Sequence, residues 1–216
     1  MLANLDHETA QPAFEGRIHP LQLALDVQGA MSDGDWLVID GGNTHFWSEI
    51  AVNIAGFQGK KLGGILHPGT FSLLGVGVSV AGSAKNVDPN RNVVLISGDG
   101  AFLSGGLSIE AAFQENRPIV VVIDNNGGLD CISQQQERLF ASGTHYATDF
   151  RDIPFHAMFE GLGGHGELVT RREDIIPAVQ RAMASGKTAC VNVKVKGVIS
   201  PIVLATTSKR DKASIE

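Results

Sequence analysis

Two apolar runs that end in polar clusters constrain the fold of this chain more than any other feature. Residues 93–97 and 119–123 are almost entirely Val, Ile and Leu, a composition typical of strands buried on both faces of a parallel sheet. Gly98-Asp99-Gly100 follows the first run, and Asn125-Asn126 follows the second after one residue. One crossover helix, predicted over 104–116, fits between them. Both clusters are therefore expected at the carboxyl ends of neighbouring strands.

The residue types in these clusters suit a hard divalent cation. A carboxylate, an amide oxygen and a free backbone carbonyl are ligands that Mg²⁺ accepts, often together with substrate phosphates, and ligands bind at the carboxyl edge of open α/β sheets. Each cluster alone is also a common turn sequence. Their joint occurrence after two buried strands favours a metal site. The glycine-rich signatures of P-loop and dinucleotide-binding proteins are missing from the sequence.

Composition limits the classes of function. A chain of 216 residues with 43% hydrophobic content is sufficient for one globular domain, predicted over 1–204 with a polar tail at 205–216. The net charge of −6 and the absence of a basic run argue against nucleic-acid or membrane-surface partners. Cys131 and Cys190 are isolated, which predicts free thiols and a reducing, cytoplasmic location. The amino-terminal residues show no signal-peptide pattern, and no apolar stretch reaches membrane-spanning length.

The order of predicted elements is α/β. We predict a doubly wound parallel sheet flanked by helices, because strands and helices alternate along the chain. The remaining predicted elements are helices near 21–31, 75–84, 154–160 and 174–184, strands at 36–39, 167–169 and 189–195, and loops at 40–44 and 125–151.

The paired clusters resemble the Mg²⁺–thiamine diphosphate motif of thiamine diphosphate-dependent enzymes. The segment 69–78 is similar to the loop that grips the aminopyrimidine ring in that family, and 41–44 is similar to a loop that touches the diphosphate. The resemblance covers about 17–197, the pyrophosphate-binding domain. Within the family the chain looks closest to the oxalyl-CoA decarboxylase, 2-hydroxyacyl-CoA lyase and acetolactate synthase group.

The resemblance assigns roles to individual residues. It implies Mg²⁺ bound by the side chains of Asp99 and Asn126 and by the carbonyl of Gly128, where the side chain is expected to be immaterial. The cofactor-binding residues that it implies are Asn43, Thr44, Ser72, Leu74, Gly98, Asp99, Gly100, Ala101 and Asn126. Among these, Leu74 is the apolar wedge that bends the cofactor; the alternative is an ordinary core leucine. Asn43 and Thr44 are alternatively helix N-caps.

Acid–base groups are harder to assign from the sequence. His45 and His67 are the candidates nearest the cofactor loops and join Leu74 in the predicted catalytic set, with His145 as a further candidate. Any of these histidines is alternatively a solvated or structural residue. The polar run 134–137 lines the substrate entry or, in the alternative we favour, forms a solvated helix face.

The family's activating glutamate lies on a separate pyrimidine-binding domain that this sequence lacks. We therefore expect a second subunit to carry that domain and glutamate, giving a hetero-oligomer that acts on a small molecule such as an acyl-CoA. The predicted function is the cofactor-binding subunit of a carbon–carbon lyase resembling 2-hydroxyacyl-CoA lyase. The alternatives are a subunit of a 2-oxoacid decarboxylase or acetolactate synthase, an excised domain, and a non-catalytic binding or regulatory subunit.

Overall fold

The computed structural model describes residue 14, residues 16–140 and residues 142–207. It contains a six-stranded sheet in the order β2-β1-β3-β4-β6-β5, and all neighbouring strands are parallel. The strands are β1 Trp36–Asp40, β2 Gly64–Leu66, β3 Val93–Gly98, β4 Val120–Asn125, β5 His165–Val169 and β6 Ala189–Lys194. The predicted doubly wound sheet is confirmed, and β3 and β4 are neighbours as the apolar runs require.

Helices connect the strands and cover the sheet. They are α1 Pro20–Ala30, α2 Asn43–Phe57, α3 Gly77–Val87, α4 Asp99–Gly105, α5 Glu110–Gln114, α6 Asp130–Leu139, α7 Phe155–Gly161, α8 Ile175–Ala184 and α9 Pro201–Thr207. Short 3₁₀ turns lie at Gly69–Phe71, Gly106–Ile109 and Arg172–Asp174. In the part of the chain that the structure describes, none of the helices combines the length and apolarity needed to span a bilayer.

Side chains alternate between two apolar layers along each central strand. In β4, Val120 and Val122 pack with α1, α2 and α8, whereas Val121 and Ile123 pack with α3, α4 and α7. Continuing this alternation, Asp124 faces the α2 layer. Asp40 at the end of β1 faces the α3 layer, because Ile39 before it belongs to the α2 layer. Each helical layer is thus faced by one carboxylate at a strand end, Asp124 on the α2 side and Asp40 on the α3 side.

The sequence-based prediction missed two helices. Helix α2 occupies a segment of which only 40–44 received an assignment, as a loop, although Trp47, Ala51 and Ala55 recur at the helical period and are buried. Helix α6 occupies part of the predicted loop 125–151. It is strongly polar, and Ser133 is its one buried residue, so it lacks a buried apolar face. Both helices border the crevice described below.

Two boundaries also differ from the predictions. The crossover predicted as one helix over 104–116 is divided into α4, a 3₁₀ turn and α5, because Gly105 approaches Gly75 so closely that a Cβ there would lie 2.2 Å from the Gly75 carbonyl oxygen. Helix α9 crosses the predicted domain end at 204, so the polar tail does not begin at 205. The rest of that predicted tail, 208–216, lies outside the described residues.

A buried histidine caps the first helix. His19 Nδ1 accepts a hydrogen bond from the Leu21 backbone N–H at 3.0 Å, while the Gln22 side chain accepts from the His19 N–H at 3.2 Å. The imidazole stacks on Phe14 and meets the edge of Trp47. Burial lowers the pKa of His19 from 6.5 to about 4. The folded state therefore holds this imidazole neutral, with Nδ1 as an acceptor.

We predict that the buried His19 makes the stability of the fold sensitive to acid. Its folded pKa lies below its unfolded pKa, so its contribution to stability is complete above pH 6.5 and is lost as the pH falls towards 4. We expect the loss to be on the order of 1–3 kcal/mol. Urea unfolding at pH 7 and pH 4.5 measures it. His19→Asn retains a capping acceptor without a titrating ring and should show a smaller loss over this interval. An equal loss in wild type and variant would contradict the assignment.

Candidate active site

The carboxyl ends of β1, β3 and β4 meet at one edge of the sheet. The register pairs Asp40 with Ser97 and Gly98 with Asp124, so the residues that follow each strand are brought together. They surround a crevice of about 290 Å³. Its lining is Gly41, Gly42, Asn43, Thr44, His45, Phe46, Pro68, Gly69, Ser72, Leu74, Gly98, Asp99, Gly100, Ala101, Asn126, Gly128, Leu129, Asp130, Cys131 and Ile132. Of the predicted site residues, His67 and the further candidate His145 are outside this lining, and all the others belong to it.

Asp99 is the carboxylate at the base of the crevice. One of its oxygens accepts from the Gly100 N–H at 2.7 Å, and the other accepts from the N–H groups of Gly127 and Gly128 at 2.8 and 3.2 Å. Burial raises the pKa of Asp99 to about 6, against the opposing effect of these backbone donors. The carboxylate therefore fixes the loop after β4 as well as offering oxygen ligands.

The two asparagines after β4 have different surroundings. Asn126 lines the crevice, and its side-chain oxygen accepts from the Gly128 N–H at 3.2 Å. Asn125 is buried and donates to the side-chain oxygen of Asn192 on β6 at 2.9 Å. Of the pair, Asn126 faces the crevice and Asn125 ties two strands together.

The expectation that the side chain at Gly128 is immaterial is wrong. A Cβ at this position would lie 2.6 Å from the backbone oxygen of Thr148. The contact is with backbone, so no rotamer change can relieve it. Leu129 donates to that same Thr148 oxygen, and Phe150 donates to the Gly127 carbonyl. The loop after β4 is thus packed against 148–150, and only glycine fits this approach at 128.

The donor set fits Mg²⁺ together with a diphosphate. One carboxylate, one amide oxygen and one backbone carbonyl leave positions for phosphate oxygens and water in an octahedral shell. The lining contains neither Lys nor Arg, so a bound diphosphate needs a cation to balance its charge. No group of three or more His, Cys, Asp and Glu suited to a metal occurs among the described residues.

Asn43 and Thr44 begin α2 at the crevice, but their side chains are already engaged. Asn43 donates to Gln134 at 2.9 Å and accepts from the Ser200 N–H at 3.1 Å. Thr44 donates its hydroxyl proton to Asp124 at 2.9 Å. Neither residue is the N-cap, which is Gly42 without a side-chain cap. The N–H groups of His45 and Phe46 are bonded to the Gly42 carbonyl, so what α2 offers an anion is the backbone N–H groups of Asn43 and Thr44, its first two residues.

Asp40 holds the loop that carries Leu74. One of its oxygens accepts from the N–H groups of Gly75 and Gly77 at 3.0 and 2.8 Å, and a Cβ at Gly77 would lie 2.6 Å from the Asp40 Cβ. Leu74 is 36% exposed and lines the crevice, so it is not a core leucine. Ser72 adopts a left-handed conformation at φ 47°, and its N–H is bonded to the Gly69 carbonyl.

Leu74→Ala should lower turnover of the complete enzyme more than it lowers stability. Because the side chain is already partly exposed, we expect a cost below about 1 kcal/mol, against about 2–5 kcal/mol for a core leucine. We expect cofactor-dependent turnover to fall by at least about tenfold, equivalent to about 1.4 kcal/mol. Leu168→Ala, 49% exposed on edge strand β5, is the control. A strongly destabilised Leu74 variant with normal activity per folded molecule would show that the core alternative is correct.

The histidine candidates occupy different places. His45 lines the crevice and its Nε2 lies 2.9 Å from Glu49 Oε1. His67 is exposed outside the lining, with its ring centroid 5.1 Å from that of His45 and its Nδ1 accepting from the Gly69 N–H. His145 is bonded to Glu137 and Asp149, and these hydrogen bonds raise its pKa. His45 is therefore the histidine placed to act on a bound ligand.

Sequence reasoning missed four lining or supporting residues. Asp40 and Asp124 follow buried strands, and that position was the available signal. Asp130 and Cys131 line the crevice at the start of α6, in a segment taken for a loop. Burial and the neighbouring Asp99 charge raise the pKa of Asp130 to about 7. Of the polar run, Gln134 supports Asn43 rather than lining the crevice.

The fold and site define an α/β domain with an oxygen-rich crevice at the carboxyl edge of a parallel sheet. A family model, thiamine pyrophosphate enzyme, C-terminal TPP binding domain, matches residues 40–193. The chain belongs to this family of thiamine pyrophosphate (thiamine diphosphate) enzymes, and the predicted family is confirmed. The matched part is the cofactor-binding domain.

Individual relatives are much longer than this chain. It is 34% identical over 182 residues to the "Probable acetolactate synthase" of Mycobacterium bovis (strain ATCC BAA-935 / AF2122/97), a match covering 82% of this chain and 31% of that protein. It is 27% identical over 191 residues to 2-hydroxyacyl-CoA lyase 2 of Danio rerio, covering 85% and 29%. The solved thiamine diphosphate-dependent 4-hydroxybenzoylformate decarboxylase of Rhodococcus jostii RHA1 superposes with a TM-score of 0.70 at 25% identity, covering 86% and 34%.

Proposed function

We propose that this chain is the cofactor-binding half of a thiamine diphosphate- and Mg²⁺-dependent enzyme that cleaves a carbon–carbon bond. The observation that carries the proposal is the convergence of Asp99, Asn126 and Gly128 on one crevice beside the first turn of α2. A non-catalytic binding subunit is the less favoured reading, because the full set of oxygen donors is present and preorganised by backbone hydrogen bonds.

Each part of the crevice has a separate task in this proposal. Thiamine diphosphate, when bound, supplies the reactive carbon and the electron sink of the reaction. Asp99, Asn126 and the Gly128 carbonyl would hold Mg²⁺. Of the two backbone groups that the resemblance implies for the diphosphate, the Gly100 N–H is already bonded to Asp99 at 2.7 Å, which leaves the Ala101 N–H in the first turn of α4 to receive it. Leu74, which lines the crevice, would be the apolar side chain that supports the bound cofactor. His45, held by Glu49, exchanges a proton with the substrate.

The partner is a second polypeptide that carries the pyrimidine-binding domain and its glutamate. Large apolar side chains are exposed on two segments that touch at Gly75 and Gly105, and one of them, Leu74, lines the crevice. We call this surface the apolar rim; its members and their exposures are Phe71 95%, Leu73 62%, Leu74 36%, Leu103 46% and Leu107 80%. A patch of this kind favours burial against another protein surface. The proposed assembly is a cytoplasmic hetero-oligomer, the location resting on two free thiols.

For the substrate we propose a 2-hydroxyacyl-CoA, cleaved by a lyase-type reaction. The likeness to 2-hydroxyacyl-CoA lyase 2 supports it. The second candidate is the chemistry of a 2-oxoacid decarboxylase or acetolactate synthase, supported by the higher identity to the mycobacterial protein. Both reactions place the same demands on the crevice described here, since they differ in the electrophile and in the pocket that the partner completes.

Activity assays of the reconstituted complex with each class of substrate distinguish the two candidates. The full chain is coexpressed with a protein that carries a pyrimidine-binding domain, and the complex receives Mg²⁺ and thiamine diphosphate. Cleavage of a 2-hydroxyacyl-CoA to an aldehyde and formyl-CoA supports the lyase assignment. Conversion of pyruvate or another 2-oxoacid without cleavage of the acyl-CoA supports the alternative. A complex that binds the cofactor and converts neither class would contradict both.

A further inference from the structure

Asp124 is a buried carboxylate for which the proposed chemistry has no direct use. It lies at the carboxyl end of β4, is 2% exposed, and faces the α2 layer. One of its oxygens accepts the hydroxyl proton of Thr44 at 2.9 Å. The other, Oδ1, has no hydrogen-bond partner among the described residues. A buried acid with half its hydrogen-bonding capacity unused is costly, so its presence here calls for a role.

The partner of this carboxylate connects three strand ends. Thr44, on the first turn of α2, is 5% exposed. Its Oγ1 would lie 3.3 Å from a Cβ added at Gly41, after β1, and 3.1 Å from one added at Gly98, the last residue of β3. Its hydrogen bond to Asp124 adds β4. One side chain thus fills the space between the three loops whose backbones form the floor of the crevice.

The hydrogen bond between Thr44 and Asp124 also determines which groups of α2 are available to bind an anion. A threonine hydroxyl has one proton, and Thr44 gives it to Asp124. The hydroxyl therefore has no proton for a phosphate oxygen, although Thr44 lines the crevice. With the side chain anchored to β4, the start of this 15-residue helix is held at the crevice, and what it offers an anion is the backbone N–H groups of Asn43 and Thr44.

We propose that Asp124 is a positioning residue for the diphosphate: through Thr44 it fixes the first turn of α2 against the strand ends. The inference rests on the proposed function and deepens it. It makes a buried residue responsible for the position of the backbone groups that bind the diphosphate. Asp124 does not touch the cofactor in this account. Its effect reaches the diphosphate through the Thr44 hydroxyl and the backbone of α2.

The test is calorimetric titration of Mg²⁺–thiamine diphosphate into the full chain, together with its coexpressed partner if one copurifies. The variants are Thr44→Val, which keeps the shape but removes the donor, Thr44→Ser, which keeps the donor, and Asp124→Leu. The control is Ser48→Ala, because Ser48 is one turn further along α2, 1% exposed, and its hydroxyl has no partner among the described residues. Thermal unfolding of each variant is recorded alongside.

We expect Thr44→Val and Asp124→Leu each to raise the cofactor Kd at least tenfold, and Thr44→Ser to restore it to within about twofold of wild type. The double variant Thr44→Val/Asp124→Leu should bind about as weakly as either single variant, since both remove one interaction. Ser48→Ala should bind normally. Asp124→Asn, which keeps an acceptor for Thr44, provides a well-folded second check and should bind within about threefold of wild type.

Two results would overturn the inference, and they are distinguishable from failure of the proposed function. If Thr44→Val and Asp124→Leu lower the unfolding temperature but leave the Kd within twofold of wild type, the pair is only structural. If Thr44→Ser binds as weakly as Thr44→Val, the hydroxyl is not the connection. Failure of the wild-type chain, with or without its partner, to bind Mg²⁺–thiamine diphosphate would overturn the proposed function and this inference together.

Discussion

Asp99→Asn should abolish Mg²⁺-dependent binding of thiamine diphosphate in a chain that still folds. Asparagine keeps a side-chain oxygen for the N–H groups of Gly127 and Gly128 and leaves only the Gly100 N–H without its acceptor. It removes the negative charge that a divalent cation requires. For wild type, Mg²⁺ and cofactor at 100 times the Kd should stabilise the native state by about 2.7 kcal/mol. We expect the variant to lose nearly all of this stabilisation, measured by thermal unfolding with and without both ligands.

The choice of asparagine follows from the surroundings of the carboxylate. Asp99→Ala would leave buried backbone donors unpaired, at about 1–3 kcal/mol each, so loss of binding and loss of structure would be mixed. Asp149→Asn is the matched control, since its side chain is 68% exposed and lies beside the same loop. Equal ligand-induced stabilisation of wild type and Asp99→Asn would contradict the assignment of Asp99 as a metal ligand.

The second large effect concerns the partner. We expect the chain alone, supplied with Mg²⁺ and thiamine diphosphate, to show no turnover above background, and coexpression with the pyrimidine-binding subunit to restore it. The apolar rim should then be covered in an obligate interface of more than about 2,000 Å². Size-exclusion chromatography with light scattering measures the assembly, and turnover is assayed on the same fractions.

A matched pair of variants makes this test specific. Leu107→Asp on the rim, where the side chain is 80% exposed, should prevent assembly without unfolding the chain. Val87→Asp, 78% exposed at the end of α3, should leave assembly intact. Turnover by the monomeric chain would contradict the proposal, as would a stable complex whose partner glutamate can be replaced by alanine without loss of activity.

The central strands and their ends were predictable because buried parallel strands have a strong sequence pattern. Val93–Gly98 and Val120–Asn125 are apolar almost throughout, and their polar ends had to meet once the strands were neighbours. The same logic brought Asp99, Asn126 and Leu74 to one crevice. The sequence therefore predicted which backbone segments converge at the crevice.

The direction of individual side chains was not predictable in the same way. Asn125 and Asn126 are identical in type, yet one bonds to Asn192 on β6 and the other lines the crevice, a difference set by strand alternation and by the neighbouring strand. Asn43 and Thr44 looked like diphosphate ligands, but Gln134 and Asp124 engage them across long stretches of sequence. Helix α6 was missed because its sequence is strongly polar and its one buried residue is Ser133.

The most direct test of the account is the position of the metal. A crystal of the full chain, or of its complex, grown with Mn²⁺ in place of Mg²⁺ and with thiamine diphosphate, gives an anomalous difference peak at the ion. We predict one peak within coordination distance of an Asp99 carboxylate oxygen, the Asn126 side-chain oxygen and the Gly128 carbonyl, bridged to the diphosphate. A peak elsewhere, or a bound diphosphate whose ion contacts neither Asp99 nor Asn126, would contradict it.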